Sequence, residues 1–175
     1  ADKEMSWLTA PQIVELFRAC EKYGKNDLTT IVKVCLATGA RWGEAQRLIR
    51  SQLSPYKLTF TKTKSGKNRA VPIPKWLYDE LSPRQGRMFK PCYQEFRKML
   101  ALTDIELTEG QKTHVLRHTF SSHFMMNGGN ILVLQKILGH ANIQETMRYA
   151  HFAPSHLEEA AALNPIANPV SIMSI

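Results

Sequence analysis

The run Thr113-His114-Val115-Leu116-Arg117-His118 sets two imidazoles four residues apart, the spacing at which both could share one metal ion on a helix face. A zinc-protease site needs Glu directly after the first histidine, where Val115 stands, and no cysteine or carboxylate lies nearby as a third ligand. No metal is expected. His118 and His123 then read as polar residues of a partly buried helix. Leu138-Gly139-His140-Ala141-Asn142 puts His140 on an accessible turn past a glycine-ended helix, with Asn142 placed to cap the next one. Tyr149, in Thr146-Met147-Arg148-Tyr149-Ala150-His151, lies near the end of that next helix and on its own reads as a packing aromatic. Upstream, Arg41 opens a short helical stretch. Lys57, Lys62, Lys64, Lys67 and Arg69 load one hairpin, and Arg47 and Arg50 follow Arg41, a distribution suited to tracking phosphates.

The elements that must hold these groups are mostly helices. Thr9-Ala10-Pro11 is a cap followed by a first-turn proline, with Ile13, Leu16, Phe17 and Cys20 on one face and Gly24 as the stop. Leu28 to Ala37 is almost wholly apolar or Thr, suited to a buried central helix that Gly39 ends. The residues from Arg41 to Leu48 form the third helical stretch. Lys57 to Lys62 alternates in type, Lys64-Ser65-Gly66-Lys67 makes a turn, and Arg69 to Ile73 returns, a β-hairpin. Helices are expected at 74–81, 90–101, 115–127, 131–138, 142–151 and 155–163. The fold class is therefore mostly α with a small antiparallel sheet inserted after the third helix. Asn164 to Ile175, with two prolines and the apolar Val170, Ile172, Met173 and Ile175, reads either as a loose end or as an extended arm that docks on a neighbouring subunit.

The chain has 175 residues, room for one domain with a sizeable core. Lys and Arg number 23 against 15 Asp and Glu, a net charge of +8, which points to a polyanionic partner. No apolar run reaches the roughly 20 residues of a membrane span. Three widely spaced cysteines, Cys20, Cys35 and Cys92, argue against a disulfide framework and for a reducing compartment. The first residue is not Met, so a longer parent is expected.

Arg41 within Thr38-Gly39-Ala40-Arg41-Trp42-Gly43-Glu44, a lysine in a basic hairpin, His114-x-x-Arg117, Leu138-Gly139-His140 and Tyr149 stand in an order and spacing that resemble the tyrosine recombinase, or phage integrase, family, from about Trp7 to Phe152. The resemblance implies the catalytic-domain fold of that family over residues 1–163, with an N-terminal DNA-clamping domain lying outside this chain. It implies a metal- and cofactor-free active site made of Arg41, Lys64, His114, Arg117, His140 and Tyr149. Lys64 matches the family lysine through Lys64-Ser65-Gly66, then Arg69 and Val71-Pro72; Lys62 is the alternative. In the implied reaction Tyr149 attacks a phosphodiester, Arg41 and Arg117 fork the non-bridging oxygens, His140 adds a hydrogen bond, Lys64 protonates the leaving 5′-oxygen and His114 accepts the tyrosine proton. A 3′-phosphotyrosyl link results. Glu44 reads either as an acid that orients Arg41 or a histidine, or as surface charge. Lys62, Lys67, Arg69 and Arg47 are expected on DNA.

Implied partners are double-stranded DNA at recombination sites, three further copies of the chain on that DNA, and accessory DNA-bending proteins, with a monomer in isolation and a place in the bacterial cytoplasm. Two other readings stand beside recombination. One is type IB topoisomerase-like nicking and resealing; the other is a non-catalytic DNA-binding module, suggested by the helix-turn-helix-like stretches 131–138 and 142–151.

Overall fold

The computed structural model describes residues 5–61, 66–108, 110–112 and 114–168. Helix α1 (Ala10–Tyr23) begins in a capping box: Gln12 N donates to the Thr9 hydroxyl, and Thr9 N donates back to Gln12 Oε1 at 2.8 Å. Its Leu16, Ala19 and Cys20 are buried. Helix α2 (Asn26–Thr38) is the buried centre, with Ile31, Val32, Val34 and Cys35 all at 0% exposure. Gly39 closes it in the left-handed region at φ 72°. A Cβ there would sit 2.6 Å from Phe120 Cδ1 and 2.8 Å from Leu138 Cδ2. Gly39→Ala is thus strained in backbone and in packing, and should lower unfolding free energy by about 1–3 kcal/mol in urea titrations.

After α3 (Trp42–Gln46) and a 3₁₀ turn at Arg50–Gln52 comes a sheet of three antiparallel strands, β1 (Leu53–Ser54), β2 (Lys57–Phe60) and β3 (Arg69–Pro72), in that order. Two of these are the expected hairpin. Strand β1 was not expected, because two residues are too few to show alternation; it pairs Leu53 with Leu58 through a turn in which Tyr56 adopts φ 61°. The register sets Leu58 against Val71 and Phe60 against Arg69, and all four are buried.

Among the described residues six α-helices follow: α4 (Lys75–Leu81), α5 (Tyr93–Ala101), α6 (Val115–Met126), α7 (Ile131–Leu138), α8 (Ile143–Met147) and α9 (Glu159–Leu163). The mostly-α fold with a sheet after the third helix is as expected, but three helices are shorter by more than a residue or two. The stretch at 90–101 starts at Tyr93, that at 155–163 starts at Glu159, and 142–151 breaks after Met147. There the chain tightens into 3₁₀ geometry, with Tyr149 N on Thr146 O at 3.0 Å and Phe152 N on Tyr149 O at 3.1 Å. The tighter turn swings Tyr149 inward.

Two apolar clusters result. The larger joins α1, α2, the sheet and α5; the smaller gathers Met125, Leu134, Leu138 and Tyr149, with Phe120, Phe124 and Phe152 packed around them. Helix α6 lies between α2 and α7, so its first turns face both helices' ends. The three cysteines are buried and unbonded.

Candidate active site

Arg117, one turn into α6, is 4% exposed and reaches two helix ends at once. Its Nη1 donates to Gly39 O at 2.9 Å and its Nη2 to Leu138 O at 2.6 Å, the carbonyls that close α2 and α7. Helix C-termini carry partial negative charge, so these carbonyls compensate a cation that, among the described residues, no carboxylate touches. Burial first, then the charges of Arg41 and Arg69, lower its pKa to about 10, which still leaves it charged at neutral pH. The same Nη2 lies 3.4 Å from His140 Nε2.

His140 was expected on an accessible turn, but its side chain is only 11% exposed. Its Nδ1 lies 2.8 Å from the hydroxyl of Thr146, which is itself wholly buried. Burial, then Arg117, push its pKa down to about 4. The ring is neutral in use, and Thr146 fixes how it faces the cleft.

Tyr149 is 2% exposed, packed as the packing reading would have it, yet its hydroxyl borders the same cleft as Arg41 and Arg117. His118 Nδ1 lies 2.7 Å from that hydroxyl. His114, expected to receive the tyrosine proton, lines the same cleft with its ring 6.0 Å from that of His118. Burial raises the Tyr149 pKa, against the opposing pull of Arg148, Arg117, the Ser121 hydroxyl and Arg41.

Glu44 is not surface charge. Its carboxylate, 8% exposed, accepts from Arg41 N at 3.0 Å and from both Arg69 terminal nitrogens at 2.7 and 3.0 Å. Burial opposes its ionisation, but the Arg69 hydrogen bonds, the Arg41 N–H and both charges together hold its pKa below the ordinary range. Arg69 therefore corrects the expectation of a DNA-facing or solvated hairpin charge. It is buried, lies over the Phe60 ring, and donates through Nε to Ile137 O at 2.8 Å. Arg50 is likewise committed, to Ser82 O at 3.3 Å and Leu53 O at 3.0 Å. Lys67 and Arg47 are exposed, as DNA contacts would need to be. Lys64 and Lys62 lie outside the described residues.

The cleft so bounded has a volume of about 570 Å³ and is lined by Arg41, Arg117, Arg148, His114, His118, His140 and Tyr149 among others. Its cations and hydrogen-bond donors around one phenol suit a phosphodiester. Sequence reasoning missed His118 and Thr146. The signal for His118 was present: four residues after His114, it shares that residue's helix face, the face on the cleft.

The two neutral imidazoles make stability acid-sensitive. Burial, then Arg148, hold His118 near pKa 3, and His140 sits near 4, against about 6.5 in an unfolded chain. Unfolding therefore takes up protons below about pH 6.5, so this stability is complete above 6.5 and is lost progressively down to about pH 4 for His140 and about pH 3 for His118, by up to ~1.4 kcal/mol per pH unit for each ring. Urea titrations between pH 7 and 4 should show that slope, and His118→Asn should flatten it.

Residues 84–156, which carry the two histidine motifs, Arg117 and Tyr149, match the model of the phage integrase family. The integrase of Escherichia phage 186 is 59% identical over 168 residues, 95% of this chain and 50% of that protein; that of Haemophilus phage HP1 is 56% identical over 168 residues, 96% and 50%. The chain spans about half the length of these relatives. The half it matches is defined by a solved structure, the catalytic domain of bacteriophage HP1 integrase, superposing with a TM-score of 0.90 at 57% identity over 95% of this chain and 99% of that one. With a shared fold, more than half its residues in common and that domain covered end to end, the chain belongs to the phage integrase family.

Proposed function

We propose that the chain is the DNA-cleaving and rejoining half of a site-specific recombinase that integrates and excises phage DNA through a 3′-phosphotyrosyl intermediate. The observation that carries this reading is the gathering of Arg41, Arg117, His140 and Tyr149 on one cleft. Arg41 and Arg117 hold the non-bridging oxygens of the scissile phosphate while His140 adds a third hydrogen bond. The Tyr149 oxygen forms the new P–O bond, its proton passing to His114 on the same cleft. The P–O5′ bond breaks, and Lys64 protonates the departing oxygen. Because the ester retains the bond energy, a 5′-hydroxyl of another strand reverses the step without ATP.

Double-stranded DNA is the partner that the +8 charge and the exposed Lys67 and Arg47 favour. Among the described residues no helix is long and apolar enough to cross a membrane; the cytoplasm is where the DNA lies. Four copies assemble on two sites, aided by DNA-bending proteins, with residues 1–163 as the catalytic unit and 164–175, of which 169–175 lie outside the described residues, as an arm exchanged between copies. Support for the arm lies in its approach: Leu157, Leu163 and Ile166 are 82%, 76% and 56% exposed. Deleting residues 164–175 should weaken recombination more than single-site DNA binding, measured by strand-exchange and gel-shift assays; equal loss would sink the arm.

The function is tested with a nicked duplex carrying the attachment site, in the presence of a chelator. A protein–DNA band that survives denaturation, and a proteolytic peptide that leaves Tyr149 on the 3′-phosphate, are expected. Linkage at another residue or to a 5′-phosphate would overturn the reading. Strand exchange between two duplexes, rather than relaxation of one supercoiled circle, separates recombinase from topoisomerase.

A further inference from the structure

Arg117 and His118 are neighbours on α6, about 100° apart around the helix, and they divide the site between them. Arg117 turns to the ends of α2 and α7, whereas His118 turns to Tyr149. The Tyr149 ring is wedged among Met125, Leu134 and Leu138, so its plane is set by packing. Packing leaves the hydroxyl's hydrogen bond undetermined. His118 supplies it from a position 6% exposed, and Ser121, one turn further along α6, lies on the same hydroxyl while donating its own proton to Arg117 O at 2.9 Å.

We propose that His118 holds the Tyr149 hydroxyl in place for attack through Nδ1, as a positioning residue and not as the acceptor of the tyrosine's proton. This rests on the reading of Tyr149 as the nucleophile. Attack on phosphorus needs the oxygen within near-attack distance, and a misplacement of about 1 Å can cost 10²-fold in rate. A ring held by packing and an oxygen held by His118 and Ser121 meet that need before DNA arrives.

The surroundings rule out proton uptake by the same ring. Around His118 stand His114 and Arg117 from its own helix and Arg148 and Tyr149 from the end of α8, all cationic or neutral. Among the described residues that line the cleft the acid is Glu145, and it lies toward His140, 3.9 Å from Nε2. Burial, then Arg148, hold the ring near pKa 3, so a proton from a phenol that burial keeps protonated would move far against its gradient.

The test compares His118→Asn, whose amide can occupy the Nδ1 position but takes up no proton, with His118→Phe, which fills the space and offers no hydrogen bond. Adduct formation on the nicked attachment-site duplex is timed at saturating protein, with Tyr149→Phe alongside. His118→Asn should react within about tenfold of the wild type, and His118→Phe should be slower by about 10²-fold with unchanged DNA affinity. Equal failure of the Asn and Phe variants would show that proton uptake matters, and a wild-type rate for His118→Phe would show no role; either overturns the proposal. An adduct persisting in Tyr149→Phe would instead remove the nucleophile assignment. Should the Phe variant not fold, the pH–rate profile of His118→Asn decides. It should coincide in shape with that of the wild type, and loss of an acidic limb would overturn the proposal.

Discussion

Tyr149→Phe is expected to abolish the covalent protein–DNA adduct while leaving duplex affinity within about twofold, as measured by denaturing gels beside gel shifts. The variant keeps everything except one oxygen. Its ring still fills the space between Met125, Leu134 and Leu138, so no cavity opens. The cost to the fold is the hydrogen bond to His118 Nδ1, which leaves a buried ring nitrogen unpaired, about 1–3 kcal/mol. That is tolerable against the 5–15 kcal/mol of an ordinary domain, so inactivity would not be unfolding. Nor can a neighbour substitute. The Ser121 hydroxyl donates to Arg117 O, and the Thr146 hydroxyl is held by His140 at 2.8 Å. Binding should survive because Arg117, proposed to hold phosphate, is fixed by Gly39 O and Leu138 O and not by a hydrogen bond to the phenol. An adduct in the Phe variant would send the search for the nucleophile elsewhere.

What could be seen in advance follows a physical division. Local signals were legible: the Thr9 cap, the glycine stop at Gly39 and the apolar run of α2 depend on residues within a few positions of one another. Arg41, Arg117, His140 and Tyr149 were found because their types and order match a family pattern, and the fold draws them to one cleft. Contacts across the chain were not legible. His118 meets Tyr149 across 31 residues, and Arg69 meets Glu44 across 25. Arg69 had nonetheless left a trace, since alternation places it on the same strand face as the apolar Val71 and Ile73, both buried. An arginine on the inward face of a strand needs an acid, and Glu44 is that acid. The break after Met147 had no local cause. Nothing in Thr146-Met147-Arg148-Tyr149 stops a helix, and it is the burial of the Tyr149 ring in the smaller cluster that bends the chain there.

The largest effect on stability is expected at Glu44. Glu44→Gln keeps the shape and the acceptor for Arg41 N, and removes only the charge, yet it should lower unfolding free energy by about 3–5 kcal/mol, because it leaves the Arg69 guanidinium buried without its counter-ion. The loss spreads beyond one pair. Arg41 lies 3.8 Å from the same carboxylate, and the charges of Arg41 and Arg69 both bear on Arg117, so three arginines lean on one acid. Lys75→Met is the control: its pair with Asp79 is short at 2.6 Å, but both side chains are more than half exposed, and its loss should leave the unfolding free energy nearly unchanged. Equal costs for the two variants would mean that burial of the Glu44 pair carries no special weight. The same reasoning sets a second readout. Inorganic phosphate in the cleft restores the negative charge that Glu44→Gln removes, so phosphate should raise the melting temperature of the variant more than that of the wild type. A like gain in both proteins would disconnect Glu44 from the arginines that hold the phosphate, and Arg69→Met distinguishes the cause: it should be destabilised as Glu44→Gln is, but gain no extra from phosphate, since it removes a cation and leaves the acid in place.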